Sequence, residues 1–265
     1  MWYVNANQDK FVEDLSEKTG LEIVLRKVEF RVFTTFPRIS VGIDSLVVRD
    51  PNRPATEPAI ISAGRLSGTV SVKKLLQDTL QLQNFELRDG VIFIYRDSTT
   101  AFNFGNLLKP KPPKEPKERS PLNPAFDWNG VGISLSNTSI GYRYPHRFKR
   151  MEVHLDSLHT TAFKNTLGQL TFATDLETKF KGVAFNTRLG TYLVDAPVSS
   201  QLEIVRRDSN WLLAPAEIQI GHQQITVSGE IGRKGNSDIH LIIDNEALDY
   251  EATRAYLPEV LRERL

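Results

Sequence analysis

The hydrophobic residues recur at two different spacings along the chain. Before Gly20 the spacing is helical: residues 5–19 place Phe11, Val12 and Leu15 on one stripe, and Gly20 is suited to end a helix in a left-handed conformation. After Gly20 apolar and polar residues alternate for most of the chain, which is typical of antiparallel strands with one apolar and one polar face. The pattern predicts a mostly β protein with a short N-terminal helix.

Alternating segments occur on both sides of a proline-rich stretch. Asp89-Gly90 is predicted to form a tight hairpin turn into a strand over residues 91–95. The alternation of apolar and polar residues is interrupted at Arg26-Lys27, which indicates a β-bulge in the first strand region. The second half repeats the alternation at Ile133/Leu135, Val153/Leu155, Leu170/Phe172, Val183/Phe185, Leu202/Ile204, Ile218/Ile220, Ile225/Val227 and Ile239/Leu241/Ile243.

The proline-rich stretch divides the chain. Six prolines lie within residues 110–124, mixed with lysines and glutamates. Proline cannot donate to a β-ladder and the segment is too polar to pack, so residues 109–125 are predicted to be a linker or long loop rather than a docking ligand. This division gives a first β module over 21–108 and a second over 126–248.

Both ends of the chain suggest a longer protein. Residues 1–4 include a Trp-Tyr pair, and these residue types favour the membrane–water boundary. One interpretation of residues 1–20 is therefore a helix that follows the stump of a lost membrane anchor, and the alternative is a plain start that caps the core. Residues 249–265 return to helical spacing, in which Pro258 is tolerable at the start of a new turn. No stop signal follows, so this C-terminal helix is predicted to be truncated.

Composition removes several classes of function. The net charge of +1 gives no bulk attraction for nucleic acid, which is not an expected partner. The absence of cysteine removes disulfides, thiolate nucleophiles and cysteine-rich zinc sites. The sequence has no run of about 20 apolar residues, so no segment is predicted to span a bilayer.

The sequence contains no recognisable catalytic motif. It lacks the GxSxG, P-loop, HExxH and GxGxxG patterns. The five histidines show no metal-ligand spacing, and His154 and His159 are expected to face opposite sides of a strand. The expectation is a non-enzymatic protein with no catalytic residues, no cofactor and no metal site.

Residues 142–150 interleave aromatic and cationic side chains. One interpretation is a hairpin in which Tyr142 and Tyr144 pack inward and the cations stay in water. The others are a surface that binds anionic lipid headgroups, or one that binds nucleic acid. The candidate headgroup and membrane-surface contacts are Tyr142, Arg143, Arg147, Lys149 and Arg150.

The order of these motifs resembles the N-terminal region of AsmA-family proteins. The helix leads into a first strand over 21–32, and residues 35–41 are similar to the family's Phe-Pro step into a strand. Further segments that carry the resemblance are 66–97, 102–108, 131–144 and 246–258. The family normally begins with a membrane-spanning helix and continues beyond this length, so the resemblance implies that the chain is a fragment.

The resemblance implies an envelope protein of a Gram-negative bacterium. Such a protein is anchored in the inner membrane through an N-terminal helix and projects into the periplasm. AsmA-like and TamB-like proteins resemble chorein-type bridge proteins, which implies an elongated, twisted, largely antiparallel sheet that forms a curved groove. Phospholipid acyl chains are the implied partner along its apolar face. The expected function is therefore non-enzymatic lipid binding and transport that supports phospholipid transfer to, or homeostasis of, the outer membrane.

Ten apolar strand residues are the candidate lipid-binding groove, and the alternative is that they are ordinary core. The rival function is a periplasmic protein-interaction scaffold for outer-membrane protein assembly, with a closed β core and no lipid groove. An open sheet with a continuous apolar patch would favour lipid, and a closed sandwich would favour the scaffold. The candidate groove residues are Ile39, Val41, Ile43, Phe85, Leu87, Val91, Phe93, Tyr95, Ile133 and Leu135.

Overall fold

The structure is a computed structural model that describes residues 8–31, 37–53, 57–75, 79–80, 82–96, 102–103, 125–126, 128–208, 210–232, 239–245 and 249–264. The predicted linker over 109–125 lies outside the described residues except for residue 125. Residues 1–4 lie outside them as well.

The N-terminal helix, α1, spans Gln8–Thr19. It ends at Gly20, which has a φ of 69° and donates its amide proton to the carbonyl oxygen of Ser16 at 2.8 Å. The predicted glycine stop is therefore confirmed. A second helix, α2, is a single turn over Val72–Leu75.

Strands make up most of the described chain, as the alternation predicts. The strands are β1 (Glu22–Val24), β2 (Lys27–Arg31), β3 (Arg38–Arg49), β4 (Ile61–Ser71), β5 (Thr79–Leu80), β6 (Leu82–Tyr95), β7 (Ala125–Phe126), β8 (Val131–Tyr144), β9 (Lys149–Lys164), β10 (Leu170–Ala184), β11 (Ala196–Arg206), β12 (Asn210–Ile220), β13 (Gln223–Gly232) and β14 (Ile239–Asp244).

Twelve of these strands form one open sheet, in the order β1-β3-β4-β6-β8-β9-β10-β11-β12-β13-β14 with β2 also paired to β3. All pairs in this sheet are antiparallel except β6 with β8, which is parallel. A parallel pair needs a long crossover connection, and residues 96–130 supply it. The two predicted β modules thus contribute strands to the same sheet. The prediction of a mostly β protein with a long, largely antiparallel open sheet is confirmed.

A row of irregular residues crosses five neighbouring strands, and we call it the crease. It consists of Ser45, Gly64, Asp89, Asn137 and Asp156, whose flanking residues are direct cross-strand partners. Ser45, Asp89 and Asn137 have positive φ values of 55°, 51° and 46°. The side-chain amide of Asn137 donates to the carboxylate of Asp89 at 2.5 Å. Each strand contains one extra residue at this row, so the alternation of its side chains changes phase there.

The hairpin predicted at Asp89-Gly90 is wrong. β6 runs through both residues without a break, from Leu82 to Tyr95. Asp89 does have the left-handed backbone of a turn residue. However, the strands on both sides carry the same irregularity, so the chain continues in its ladder instead of reversing.

The C-terminal segment forms two short helices rather than one. α3 spans Tyr250–Arg254, and the Asp249 carboxylate caps it by accepting from the amide of Ala252 at 3.1 Å. α4 spans Glu259–Arg262 and begins directly after Pro258. Pro258 therefore opens a new helical turn, as the sequence predicts.

These helices lie at one end of the sheet. The amide of Leu193, in the β10–β11 connection, donates to the carbonyl oxygen of Tyr256 at 2.9 Å. The side chain of Gln223, at the start of β13, exchanges hydrogen bonds with the backbone of Asp249 at 3.3 and 3.4 Å. The end of the sheet that carries the β10–β11 connection therefore anchors the C-terminal segment.

Candidate functional site: the apolar face of the sheet

Two rows of apolar residues lie side by side on one side of the sheet, and each row crosses the same six adjacent strands. Consecutive members of each row are direct cross-strand partners, so they share a face. We call the side that carries both rows the apolar face. The first row, on one side of the crease, is Ile43, Leu66, Leu87, Leu135, Leu158 and Leu176. The second row, beyond the crease, is Val48, Ile61, Ile92, Ile140, Val153 and Phe180.

The apolar face continues through the remaining strands. Ile218 of β12 pairs with Ile225 of β13, and Val227 of β13 pairs with Ile243 of β14. Six strands at a spacing of about 4.8 Å span about 24 Å, which exceeds the roughly 15 Å of hydrocarbon in one leaflet of a bilayer. The face is therefore long enough to hold a whole acyl chain across the strands.

Burial differs sharply between the two sides of the sheet. Along β11, Ala196, Val198 and Ser200 on the apolar face are buried, whereas Pro197 and Ser199 on the other side are exposed. Most members of the two rows are half-buried rather than buried. Half-burial is what apolar side chains obtain when they shield one another on an open sheet.

The main contacts of the strands are with their neighbours in the sheet. Among the described helices, α1 contacts β1, and α2 contacts β3 and β4. The small buried cluster of Leu46, Ala63 and Leu87 lies near this edge of the sheet. The described helices thus lie at the first strands and at the end of the sheet that anchors the C-terminal segment.

Seven of the ten predicted groove residues lie on the apolar face. Ile43, Leu87 and Leu135 are members of the first row. The other four are Ile39, Val41, Phe85 and Ile133, which alternate with the first row along the same strands.

The other three predicted groove residues, Val91, Phe93 and Tyr95, lie on the opposite face. They pair with Ser139, Gly141 and Arg143 of β8, whereas Ile92 and Ile94 face the apolar side. The phase change at Asp89 causes this difference, because simple alternation from Leu87 would have kept residues 91, 93 and 95 on the side of Leu87. A single groove cannot include both sets.

Tyr95 and Phe93 instead belong to a small pocket on the polar side. The guanidinium of Arg53 lies 4.4 Å from the centroid of the Tyr95 ring, and that of Arg143 lies 6.0 Å from the Phe93 ring. The side-chain amide of Asn103 donates to the carbonyl oxygen of Phe93 at 2.7 Å. The pocket has a volume of about 210 Å³ and is lined by loop residues as well as these rings.

Sequence reasoning missed the residues beyond the crease, above all Ile92, Ile140 and Leu46. A signal for them exists in the spacing. Two polar residues stand together at Asp44-Ser45, Arg88-Asp89 and Ser136-Asn137, so neighbouring face positions are three residues apart instead of two. Serine, aspartate and asparagine in that pattern indicate a strand irregularity.

His154 and His159 lie on the same face, which corrects the expectation that they face opposite sides. A ring nitrogen of His159 lies 2.9 Å from the hydroxyl of Ser134, and one of His154 lies 3.1 Å from the hydroxyl of Ser139. Both serines belong to the polar side of β8. Asp156 of the crease adds one residue between the two histidines and changes their relative orientation.

The polar face holds charged and hydroxyl side chains. A depression of about 680 Å³ there includes the carboxylates of Asp175, Glu177 and Glu217. Among the residues that the structure describes, no group of three or more histidines and carboxylates has the geometry to hold a metal ion.

Two carboxylates have lowered pKa values, and both lie at the surface. Hydrogen bonds from Lys27 and Arg31 lower the pKa of Glu29. Hydrogen bonds from Lys181 and Lys179 lower the pKa of Asp195. Both groups are part of surface ion pairs, which stabilise little.

The run over 142–150 forms the hairpin that one interpretation predicts. Tyr144 is buried, and a 3-10 turn over Pro145–Arg147 connects β8 to β9. Tyr142 is half-buried on the apolar face. The five candidate headgroup contacts therefore do not lie together.

The four cations of this run are exposed but differ in their surroundings. Arg143 and Arg150 are cross-strand partners on the polar face, and Arg150 forms an ion pair with Glu152 at 2.8 Å. Arg147 and Lys149 lie at the turn itself. These two form no ion pair with a described residue.

Over the described part of the chain, no helix is long and apolar enough to cross a membrane. In comparisons with known proteins, the chain matches no family model and no curated protein.

Proposed function

We propose that this chain is a non-enzymatic lipid-binding module of a lipid-transport protein, and that acyl chains lie along its apolar face. The observation that carries the proposal is the pair of apolar rows, unbroken over six strands and continued to β14. Each Å² of apolar surface left in water costs about 25 cal/mol, so a face of this extent is stabilised by an apolar occupant. Acyl chains fit because they need no hydrogen bonds from the surface that they cover.

The resemblance to AsmA-family proteins supports the same proposal from the order of the sequence motifs. On this basis the module belongs to a periplasmic bridge that is anchored in the inner membrane and supports phospholipid transfer to, or homeostasis of, the outer membrane. A long, largely antiparallel open sheet is the architecture that such a bridge requires.

A protein-interaction scaffold remains the second candidate function, and the last strand of the sheet favours it. β14 is a sheet edge with four exposed apolar residues, Ile239, Leu241, Ile242 and Ile243. Edge strands are normally protected by charge, proline or short length, and an unprotected edge is a template for strand addition. An envelope-assembly protein that adds a strand at β14 is therefore the alternative partner.

The first experiment separates the two candidates. The purified protein is analysed by native mass spectrometry, and its bound lipid is extracted and identified. In the test variant, Leu158→Asn and Leu176→Asn place two amides of leucine-like size at the centre of the apolar face. In the matched control, Ser157→Asn and Ala173→Asn place amides on the exposed polar face of the same strands.

We expect phospholipid on the wild type and the control but much less on the test variant. All three proteins must give the same far-UV circular dichroism for the comparison to count. If folded wild-type protein carries no lipid and takes none from mixed micelles, the lipid proposal is wrong. Specific capture of a strand-forming partner that Leu241→Lys abolishes would then support the scaffold.

A further inference from the structure

One end of the sheet combines exposed apolar side chains with cations, and we call it the basic tip. It consists of the β8–β9 turn, residues 145–149, and the start of the β10–β11 connection, residues 185–189. The amide of Thr187 donates to the carbonyl oxygen of Phe148 at 2.7 Å. The guanidinium of Arg188 lies 3.8 Å from the centroid of the Phe148 ring. The two segments thus form one surface.

Two apolar side chains of the basic tip point into solvent. Phe185 is 68% exposed and Leu189 is 60% exposed. The Phe185 ring makes an edge contact with Tyr192 at 5.8 Å between centroids, which fixes its position. Leu189 lies in a tight turn, in which its amide donates to the carbonyl oxygen of Asn186 at 2.9 Å. Single exposed apolar side chains are common, but two large ones within five residues, beside cations, are typical of an interaction site.

The cations of the basic tip are available for an external partner. Arg147, Lys149 and Arg188 are exposed, and none of them forms an ion pair with a described residue. Two neighbouring carboxylates are already paired elsewhere, because Glu152 pairs with Arg150, and Asp195 pairs with lysines at 3.2 Å. The basic tip therefore presents three cations that form no ion pair within the described part of the chain.

We propose that the basic tip docks on the surface of an anionic bilayer. Phe185 and Leu189 enter the interfacial region, while Arg147, Lys149 and Arg188 bind lipid phosphate groups. Stable peripheral binding requires an apolar contact together with a cationic patch, and the basic tip supplies both. A nucleic acid is the poorer fit, because Leu189 offers no ring for base stacking and the chain has a net charge of only +1.

This docking is independent of acyl-chain binding on the apolar face. The basic tip contacts an intact membrane, whereas the apolar face is proposed to hold lipid removed from one. The Leu158→Asn, Leu176→Asn variant is therefore expected to dock normally, so failure of one proposal does not imply failure of the other.

The test is flotation of the protein with vesicles of phosphatidylcholine alone or with added phosphatidylglycerol. Each cation near an anionic surface contributes about fivefold in affinity, so Arg147→Gln with Lys149→Gln is expected to weaken binding about thirtyfold. Phe185→Ser with Leu189→Ser is expected to weaken it about a hundredfold, because two large apolar contacts are lost. Pure phosphatidylcholine is expected to bind only weakly.

The matched control lies at the opposite end of the same strands. Leu167, in the β9–β10 turn, is 79% exposed, and Lys164 beside it is also exposed. Leu167→Ser with Lys164→Gln therefore removes similar groups from the other end and should leave docking unchanged. Absence of wild-type flotation with anionic vesicles would overturn the proposal, as would equal losses in the control and tip variants. Binding to single-stranded DNA that Phe185→Ser with Leu189→Ser leaves intact, without flotation, would assign the basic tip to nucleic acid instead.

Discussion

Val91 and Ile92 are neighbours in β6 but lie on opposite faces of the sheet, so one substitution at each position tests the crease. Ile92 is flanked on the apolar face by Ile61 and Ile140. Val91 is 41% exposed and is flanked on the polar face by Ser62 and Ser139. Uninterrupted alternation from Leu87 would reverse these two environments. We therefore compare Ile92→Asp with Val91→Asp.

The expected costs follow from the two environments. A fully buried isoleucine contributes about 1.5–3 kcal/mol, so half-buried Ile92 contributes about 1–1.5 kcal/mol. A carboxylate between Ile61 and Ile140 also loses part of its hydration, at a further cost of about 1–2 kcal/mol. The total for Ile92→Asp is about 2–3.5 kcal/mol. Val91→Asp is expected to cost about 1 kcal/mol, because the new carboxylate lies in water beside two serines.

Urea unfolding followed by circular dichroism measures both costs in parallel. With a slope of about 2–3 kcal/mol per molar urea, the Ile92→Asp midpoint should lie roughly 0.5–1 M below that of Val91→Asp. The two variants should also differ in the amount of lipid that they retain on purification, and Ile92→Asp should retain less than Val91→Asp. A lower midpoint for Val91→Asp than for Ile92→Asp would show that the side chains do not change phase at Asp89, and the crease would be refuted.

Three further predictions concern single positions. Asn137→Val should destabilise the protein by about 1–2 kcal/mol more than Asn137→Gly in urea unfolding. Both variants lose the hydrogen bond to Asp89, but only the β-branched residue tolerates the positive φ poorly, so equal effects would contradict the left-handed backbone. Gly221→Ala should destabilise the protein more than Gly168→Ala. Both glycines have positive φ, but only at Gly221 would a Cβ overlap the Tyr256 hydroxyl. The difference between the two unfolding midpoints checks this contact. Two lysine side chains lower the pKa of Asp195, so its stabilisation is present above the pKa of an unfolded aspartate and is lost as pH falls through the lowered folded value. Asp195→Asn should therefore unfold at a slightly lower urea concentration than the wild type near pH 7, and this difference should shrink as pH falls. A difference that grows in acid would contradict the expected sign.

Much of the architecture follows from local sequence signals. The stop at Gly20, the new helical turn at Pro258 and the hairpin after Tyr144 depend on one or two residues with a strong backbone preference. Period-two alternation predicted most strands of the second half, because each strand has one face that packs and one that is hydrated. These features need no knowledge of distant contacts.

The phase of the alternation could not be predicted in the same way. The doubled polar residues at Asp89 and Asn137 indicate an irregularity, but they do not indicate whether the strand continues beyond it. Whether an Asp-Gly pair reverses the chain or continues it depends on the neighbouring strands, which lie far away in sequence. The errors at Val91, Phe93 and Tyr95, and at the two histidines of β9, share this cause.

The crease also bears on what the apolar face is for. Within the five strands that it crosses, the apolar residues change from one parity to the other at the same row. The apolar face is formed by Ile43 before the crease and Leu46 after it in β3. The corresponding residues are Leu87 and Ile92 in β6, and Leu135 and Ile140 in β8. If any one strand lacked the change, its apolar residues beyond the row would face water on the polar side. Five coordinated changes keep one apolar surface continuous over the full length of the strands. A small local core does not require this continuity, whereas a ligand that covers both rows does.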